Sequence, residues 1–286
     1  MNPLLSICCL KSYGDLVIIH NILKKFNFDF SSFQLVLGSH LDELNALLGS
    51  ELNTKELYSF PNILDVPGCY NIKKVGILTA VQSLFLMYKQ VHALPDAKNL
   101  TFIVDQTSFR ERFIFSALNV KSIPKDSMNI YLGYENLFSN FLAPQKTDNF
   151  FSNIGNKVGI FPDSRVDSKV IQATLLRKIL SEIPDDQFEC VINYFEGEAP
   201  AEKAKLPLKY MKKNFTSLLD SMKAYDCIIS SDSLTAHLAE YLEKPVFVFT
   251  PTSNTYWLPL SAFSANYWSD FHFNKKAFAS FMRRDN

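Results

Sequence analysis

The chain has 286 residues, 47% of them hydrophobic and 20% charged, with 29 basic and 29 acidic side chains in balance. That length suits one large or two medium domains with substantial cores. The neutral balance excludes a chain-wide basic field, so nucleic acid is not an expected partner.

In chain order, LLSICCL (4–10) reads as a strand and the stretch from Asp15 to Phe26 as a helix. The apolar start is short and runs into charged sequence without a cleavage site, so neither a leader nor a membrane span is expected. A cytoplasmic location follows, and peripheral association with the inner face of the cell membrane stays open. FQLVLG (33–38) is a second strand, HLDELNALLG (40–49) a helix, and much of 76–91 a longer helix. LTFIVDQ (100–106) is a strand, SFRERFIFSAL (108–118) a helix, and MNIYLG (128–133) reads as one more strand.

The Pro-, Asn- and Gly-containing stretch 142–156 interrupts this rhythm and reads as a linker. The alternation then restarts, with strands at 157–162, 188–195, 226–230 and 245–250 and helices near 170–183, 214–224 and 233–242. Residues 273–284 form a terminal helix, expected to pack back on the N-terminal half. Apolar strands alternating with helices imply α/β architecture with parallel sheets covered on both faces. Two such runs imply two Rossmann-like domains, 1–150 and 151–286, whose sheets face across a cleft. Cys8, Cys9, Cys190 and Cys227 lie in apolar runs and no CxxC pair exists, which predicts reduced, buried thiols.

Ligands of open parallel sheets sit beyond the carboxyl ends of the strands, so the residues just after each strand carry the information. After the first strand come Lys11, Gly14 and Asp15. Gly14 permits a tight turn, Lys11 is a solvated lysine or an anion ligand, and Asp15 either favours the helix start or acts as a general base. After the strand at 100–106, Asp105 precedes Arg110 and Arg112. Arg110 could clamp a carboxylate or phosphate, whereas Arg112 reads as a surface partner of Glu111 or Asp105. After KVGIFP, residues Ser164, Arg165, Ser168 and Lys169 could surround a diphosphate, although the loop lacks the glycines and GK[ST] ending of a Walker loop. After DCIIS, Asp232, Ser233, Thr235 and His237 gather at a helix mouth, where amides, the helix dipole and hydroxyls suit an anion. There the plain reading is a cap by Asp232 or Ser233 and a hydrogen-bonded packing histidine. No metal-ligand spacing accompanies His237.

The segments KSYGDLVIIHNIL, FIVDQTSFRERFIFSAL, GIFPDSRVDSKVIQ and SDSLTAHLAEYLEKPVFVFTPTS resemble, in order, four segments of the bacterial heptosyltransferases, glycosyltransferase family 9. The last is the most specific, with Asp232, His237, Leu238, Ala239, Leu242 and Pro245 in register with an Asp-Thr-Gly-x-x-His-Leu-Ala-Ala-Leu-x-x-Pro signature. The resemblance implies a GT-B fold and an inverting, metal-independent transfer of a heptose-like sugar from a nucleotide-diphosphate donor, typically ADP-heptose, to a lipopolysaccharide acceptor. No cofactor or metal is implied beyond that substrate, and the partners are the nucleotide sugar and a lipid-linked or oligosaccharide acceptor. Asp15 is then the expected base. Lys11, Gly14, Asp105 and Arg110 fall to acceptor binding. Lys169, Ser164, Asp232, Ser233, Thr235 and His237 fall to donor binding, with Glu196 or Glu198 on the ribose. Three positions depart from the pattern: Leu234 and Asp163 replace glycines, and Thr250-Pro251-Thr252 replaces Gly-Pro-Thr. The alternatives are a GT-B enzyme using another nucleotide sugar for a capsule or other glycan, and a catalytically silent sugar- or nucleotide-binding relative. A nicotinamide-dependent dehydrogenase is disfavoured because no GxGxxG appears.

Overall fold

The computed structural model describes residues 5–26, 33–51, 62–65, 70, 75–124, 126–143, 155–197 and 207–283. The chain divides into two compact units, Met1–Ser127 with Gly133–Lys146, and Met128–Leu132 with Thr147–Asn286. Most of the stretch read as a linker, Glu198 and Cys69 lie outside the described residues.

The first unit contains β1 (Leu5–Cys9), β2 (Phe33–Gly38), β3 (Asn62–Leu64), β4 (Thr101–Val104) and β5 (Asn119–Ser122). They form one sheet in the order β3-β2-β1-β4-β5, and every pairing is parallel. The helices are α1 (Tyr13–Leu23), α2 (Asp42–Glu51), α3 (Ile77–His92) and α4 (Phe109–Ile114). All residues of β1 and β4 are buried, as expected for central strands of a sheet covered on both faces. The short β3 and β5 escape sequence reading. β5 is an edge strand with the sequence NVKS and alternating exposure, so it lacks an apolar run.

The stretch MNIYLG is not a strand. It enters α5 (Ile130–Phe138), whose buried Ile130, Tyr131, Tyr134, Leu137 and Phe138 recur at helical spacing. The Asn129 carbonyl oxygen Oδ1 accepts from the Tyr131 amide at 2.9 Å and opens the helix. Six apolar-rich residues are too few to separate the two periods, and the deciding Tyr134 and Phe138 lie beyond them.

The second unit contains β6 (Lys157–Phe161), α6 (Ala173–Ser181), β7 (Glu189–Phe195), β8 (Leu208–Met211), α7 (Phe215–Lys223), β9 (Cys227–Ser231), α8 (Leu234–Tyr241), β10 (Val246–Thr250), α9 (Leu260–Ser264), β11 (Trp268–Asp270) and α10 (Lys275–Phe281). Its sheet is again all parallel, in the order β11-β10-β9-β6-β7-β8. Asn214 caps α7 by accepting from the Ser217 amide at 2.7 Å. Gly159 in β6 allows a close approach, because a Cβ there would meet the Tyr225 ring at 2.4 Å.

The heavy use of Phe finds its reason here. Phe247 and Phe249 on β10 pack against Phe273, Phe278 and Phe281, with ring centroids 5.1–6.4 Å apart. The buried face of α10, expected against the N-terminal half, therefore belongs to the core of its own unit. Cys8, Cys9 and Cys227 are buried free thiols and Cys190 is half-buried.

Candidate functional site

Each sheet has one place where its strand order reverses direction. In the first it lies between β1 and β4, in the second between β6 and β9. At such a point the chain leaves neighbouring strands in opposite directions, so the strand ends stay open to a ligand. The residues read from the sequence as functional fall at these two places, and each is described within its own unit.

In the first unit, Ser12 caps α1, its hydroxyl accepting from the Asp15 amide at 3.3 Å. The turn therefore belongs to Ser12. Gly14 is helical rather than the tight-turn residue expected, and Asp15 is the third residue of the helix. The ammonium of Lys11 reaches Asp105, just after β4, donating to both carboxylate oxygens at 2.9 and 3.0 Å. It also lies 3.2 Å from Glu111. Two carboxylates thus hold Lys11, which stays partly exposed.

Glu111 is buried, not the surface partner of the arginines that its sequence position suggested. It completes a capping box on α4: the Ser108 amide donates to its Oε2 at 3.0 Å, and the Ser108 hydroxyl bonds to the same oxygen. Burial disfavours its charge, but Ser108 and Lys11 outweigh that and hold its pKa below the ordinary value. For Lys11, burial likewise opposes the charge, and Asp105 and Glu111 overcome it, so its pKa is raised.

Asp15 lines the same pocket as Lys11, Tyr70, Asp105, Glu111 and Tyr134. Burial first, and the negative charge of Asp105 second, push its carboxyl up to about 6, against the opposing pull of Ser12 and Lys11. Three carboxylates surround one ammonium, so the pocket repels anions and favours neutral hydroxyl-bearing groups. Arg110 stands at the rim, its guanidinium 5.6 Å from the centroid of the Tyr70 ring. Arg112 is exposed.

In the second unit, Lys169 closes a short 3-10 turn after β6 and donates to Asp232 Oδ2 at 2.7 Å. Asp232 follows β9 and opens the turn into α8. Ser233 is the residue before α8, with extended backbone, yet its side chain makes no capping bond to the helix. Its hydroxyl joins a ladder instead. Ser230 Oγ and Thr235 Oγ1 are 2.5 Å apart, Thr235 and Ser233 3.0 Å apart, and Ser231 Oγ lies 3.0 Å from the Ser233 hydroxyl and donates to the Asp163 carbonyl at 2.9 Å. The ladder ties the β6 loop to the mouth of α8, where the helix dipole is positive. Leu234 is half-buried at that mouth and Ser164 half-buried in the β6 loop, where its hydroxyl accepts from the Val166 amide at 3.2 Å.

His237 lies within α8. It is buried, and burial lowers its pKa to about 4. Its Nδ1 shares a hydrogen bond with the Tyr131 phenol oxygen 3.0 Å away. Glu196 is exposed in the turn after β7.

Sequence reasoning missed Glu111, Tyr70 and Tyr131. The pattern Ser108-x-x-Glu111 is a capping-box signal that could have located Glu111. Nothing local announces Tyr131, which lies 106 positions from His237. Among the described residues, no group of three or more His, Cys, Asp or Glu is placed to hold a metal ion, and no helix is long and apolar enough to cross a membrane.

No protein-family model and no curated protein sequence matches the chain. Solved structures do. The Escherichia coli heptosyltransferase WaaC with ADP aligns at a TM-score of 0.62 and 12% identity, covering 97% of this chain and 98% of that one. A glycosyl transferase of family 9 from Veillonella parvula aligns at 0.58 and 12% identity, over 94% and 86% of the two chains. The E. coli ADP-heptose LPS heptosyltransferase II aligns at 0.53 and 12% identity, over 93% and 89%. At that level of identity the likeness speaks for the fold: two parallel Rossmann-like sheets in one chain, the GT-B architecture of these glycosyltransferases.

Proposed function

We propose that the chain is an inverting glycosyltransferase that moves a heptose-like sugar from a nucleotide-diphosphate donor to a surface-glycan acceptor. The observation that carries the reading is Asp15, a carboxyl held at about 6 in a pocket at the switch point of the first sheet. A base with that pKa is mostly ionised at neutral pH and still basic enough to take a hydroxyl proton. The pocket's excess of carboxylates suits an acceptor that offers hydroxyls. Asp105 and Glu111 act through Lys11, which they hold beside Asp15.

In this reading Asp15 accepts the proton of the acceptor hydroxyl while that oxygen attacks the anomeric carbon. The bond from the anomeric carbon to the donor phosphate breaks, and its electron pair leaves on the diphosphate. Lys169 and the first-turn amides of α8 stabilise the diphosphate. An ammonium carries three N–H donors, so Lys169 can keep Asp232 and still meet a phosphate oxygen. Arg110 at the pocket rim is suited to an acidic group of the acceptor. The likeness to a heptosyltransferase bound to ADP favours an adenine nucleotide among the donors. His237 supports α8 from within rather than touching the donor.

The test is Asp15→Asn. Removing a general base costs about 10²–10⁴ in rate, so turnover of ADP-heptose with an inner-core acceptor is expected to fall at least about a hundredfold, with a melting temperature at neutral pH no lower than wild type, because the buried charge is gone. Wild-type turnover in that variant refutes the assignment.

A further inference from the structure

The pocket of the first unit holds more negative charge than its own residues balance. Asp15, Asp105 and Glu111 line it with a single ammonium, that of Lys11. Two of the three carboxylates already hold that ammonium, with Nζ 2.9 Å from Asp105 Oδ1 and 3.2 Å from Glu111 Oε1. The other oxygen of Glu111 is taken by Ser108 in the capping box. Asp15 is the remaining carboxylate. Ser12 is its hydrogen-bond partner, and among the described residues no ammonium or guanidinium pairs with it.

The lining thiols feel this excess. Cys8 and Cys9 are pushed well above the ordinary thiol range, by burial first, then by Asp105 for Cys8 and by Asp15 for Cys9. Tyr70 adds the negative face of its ring, over which Lys11 and Arg110 each stand 5.6 Å from the centroid. A ligand that brings one more cation is therefore attracted, and an anion is repelled.

The reaction narrows where that cation sits. If Asp15 is the base, one of its oxygens faces the reacting hydroxyl. The second oxygen can accept from an ammonium, which carries three N–H donors. An ammonium and a hydroxyl on adjacent carbons of a sugar ring lie side by side and match the two oxygens of one carboxylate. We propose that the acceptor is an amino sugar whose protonated amine, on the carbon next to the reacting hydroxyl, pairs with Asp15. The role of the hydroxyl rests on the sugar-transfer function proposed above. The binding of the amine does not. During transfer the hydroxyl proton passes to Asp15 and the ammonium keeps its own protons. The added positive charge also opposes burial and Asp105, which hold the carboxyl at about 6, and so keeps the base ionised.

Calorimetric titration of the full chain near neutral pH, with no donor present, tests the proposal. The probes are the methyl glycosides of glucosamine, glucose, N-acetylglucosamine and glucuronic acid. The amino glycoside should bind at least about tenfold more tightly than the glucoside or the N-acetyl glycoside, the effect of a charge-assisted hydrogen bond. The uronide should bind most weakly. Added salt should narrow the gap between the amino glycoside and the glucoside. Asp15→Asn should bind those two alike, because the charge is gone while an oxygen acceptor remains. The proposal is overturned if the amino glycoside binds no more tightly than the glucoside, if the uronide binds most tightly, or if Asp15→Asn keeps the preference. Absence of binding by all four probes overturns it too. Equal binding of the amino glycoside and the glucoside would leave transfer to a neutral acceptor standing. A retained amine preference in a chain that transfers no sugar would leave an amino-sugar site without the proposed reaction.

Discussion

The pKa of Asp15 predicts the shape of the pH–rate profile. Burial and the neighbouring Asp105 raise the carboxyl from 3.8 to about 6. If its ionised form is the base, kcat/KM follows the ionised fraction in the free enzyme. With a pKa of about 6 that fraction is roughly nine-tenths at pH 7 and one-tenth at pH 5, so kcat/KM should fall about tenfold over those two units. An ordinary aspartate would still be more than about nine-tenths ionised at pH 5 and would produce almost no fall. The assay is initial-rate transfer at subsaturating donor and acceptor from about pH 4.5 to 8.5. Lys11→Met adds an internal control. The lysine's charge lowers the pKa of Asp15, so its removal should move the acid limb to higher pH. A flat wild-type profile between pH 5 and 7, or the same limb in the residual activity of Asp15→Asn, refutes the reasoning.

Lys11→Met should also destabilise the fold by about 2–3 kcal/mol, because it leaves Asp105 and the buried Glu111 without their cation; chemical denaturation with unchanged m-value reads this. Phe247→Ala, at a fully buried position against three aromatic rings, should cost about 3–5 kcal/mol in the same measurement. His20 and His237 are both lowered from 6.5 to about 4 by burial. The unfolded chain therefore takes up their protons first. The stability they contribute is complete above pH 6.5 and is lost as the pH falls towards about 4. Asp15 works the other way, since its raised pKa favours the protonated folded state as the pH falls through 6. Thermal melts of Asp15→Asn from pH 7.5 to 4.5 should thus show a steeper acid loss than wild type.

The strand ends were legible because apolar runs bounded by polar turns locate a parallel strand to within a residue or two, as for β2 and β10. Lys11, Asp15 and Asp105 could be picked out as strand-end residues before any contact was known. Their pairing could not. That Lys11 sits between Asp105 and Glu111 depends on β1 lying beside β4, a register that local sequence does not encode. Glu111 looked like a surface acid because its neighbours Arg110 and Arg112 are charged. Its burial follows from the direction of the first turn of α4. The edge strands β3 and β5 lack an apolar run, and α5 was misread because its helical period extends past the apolar hexapeptide that suggested a strand. The bond between Tyr131 and His237 joins positions distant in the chain, so it belongs to tertiary structure alone.

The central claim is that the switch point of the second sheet grips a nucleoside diphosphate while that of the first holds the base. Calorimetric titration of the full chain with ADP, UDP, GDP and their sugar conjugates tests it most directly, with Lys169→Ala and Asp15→Asn alongside. One nucleoside diphosphate should bind the wild-type chain, at least about tenfold more weakly after loss of the charge-assisted bonds of Lys169, and unchanged in Asp15→Asn. Binding of no nucleotide in the panel, or equal affinity in Lys169→Ala, would contradict the account.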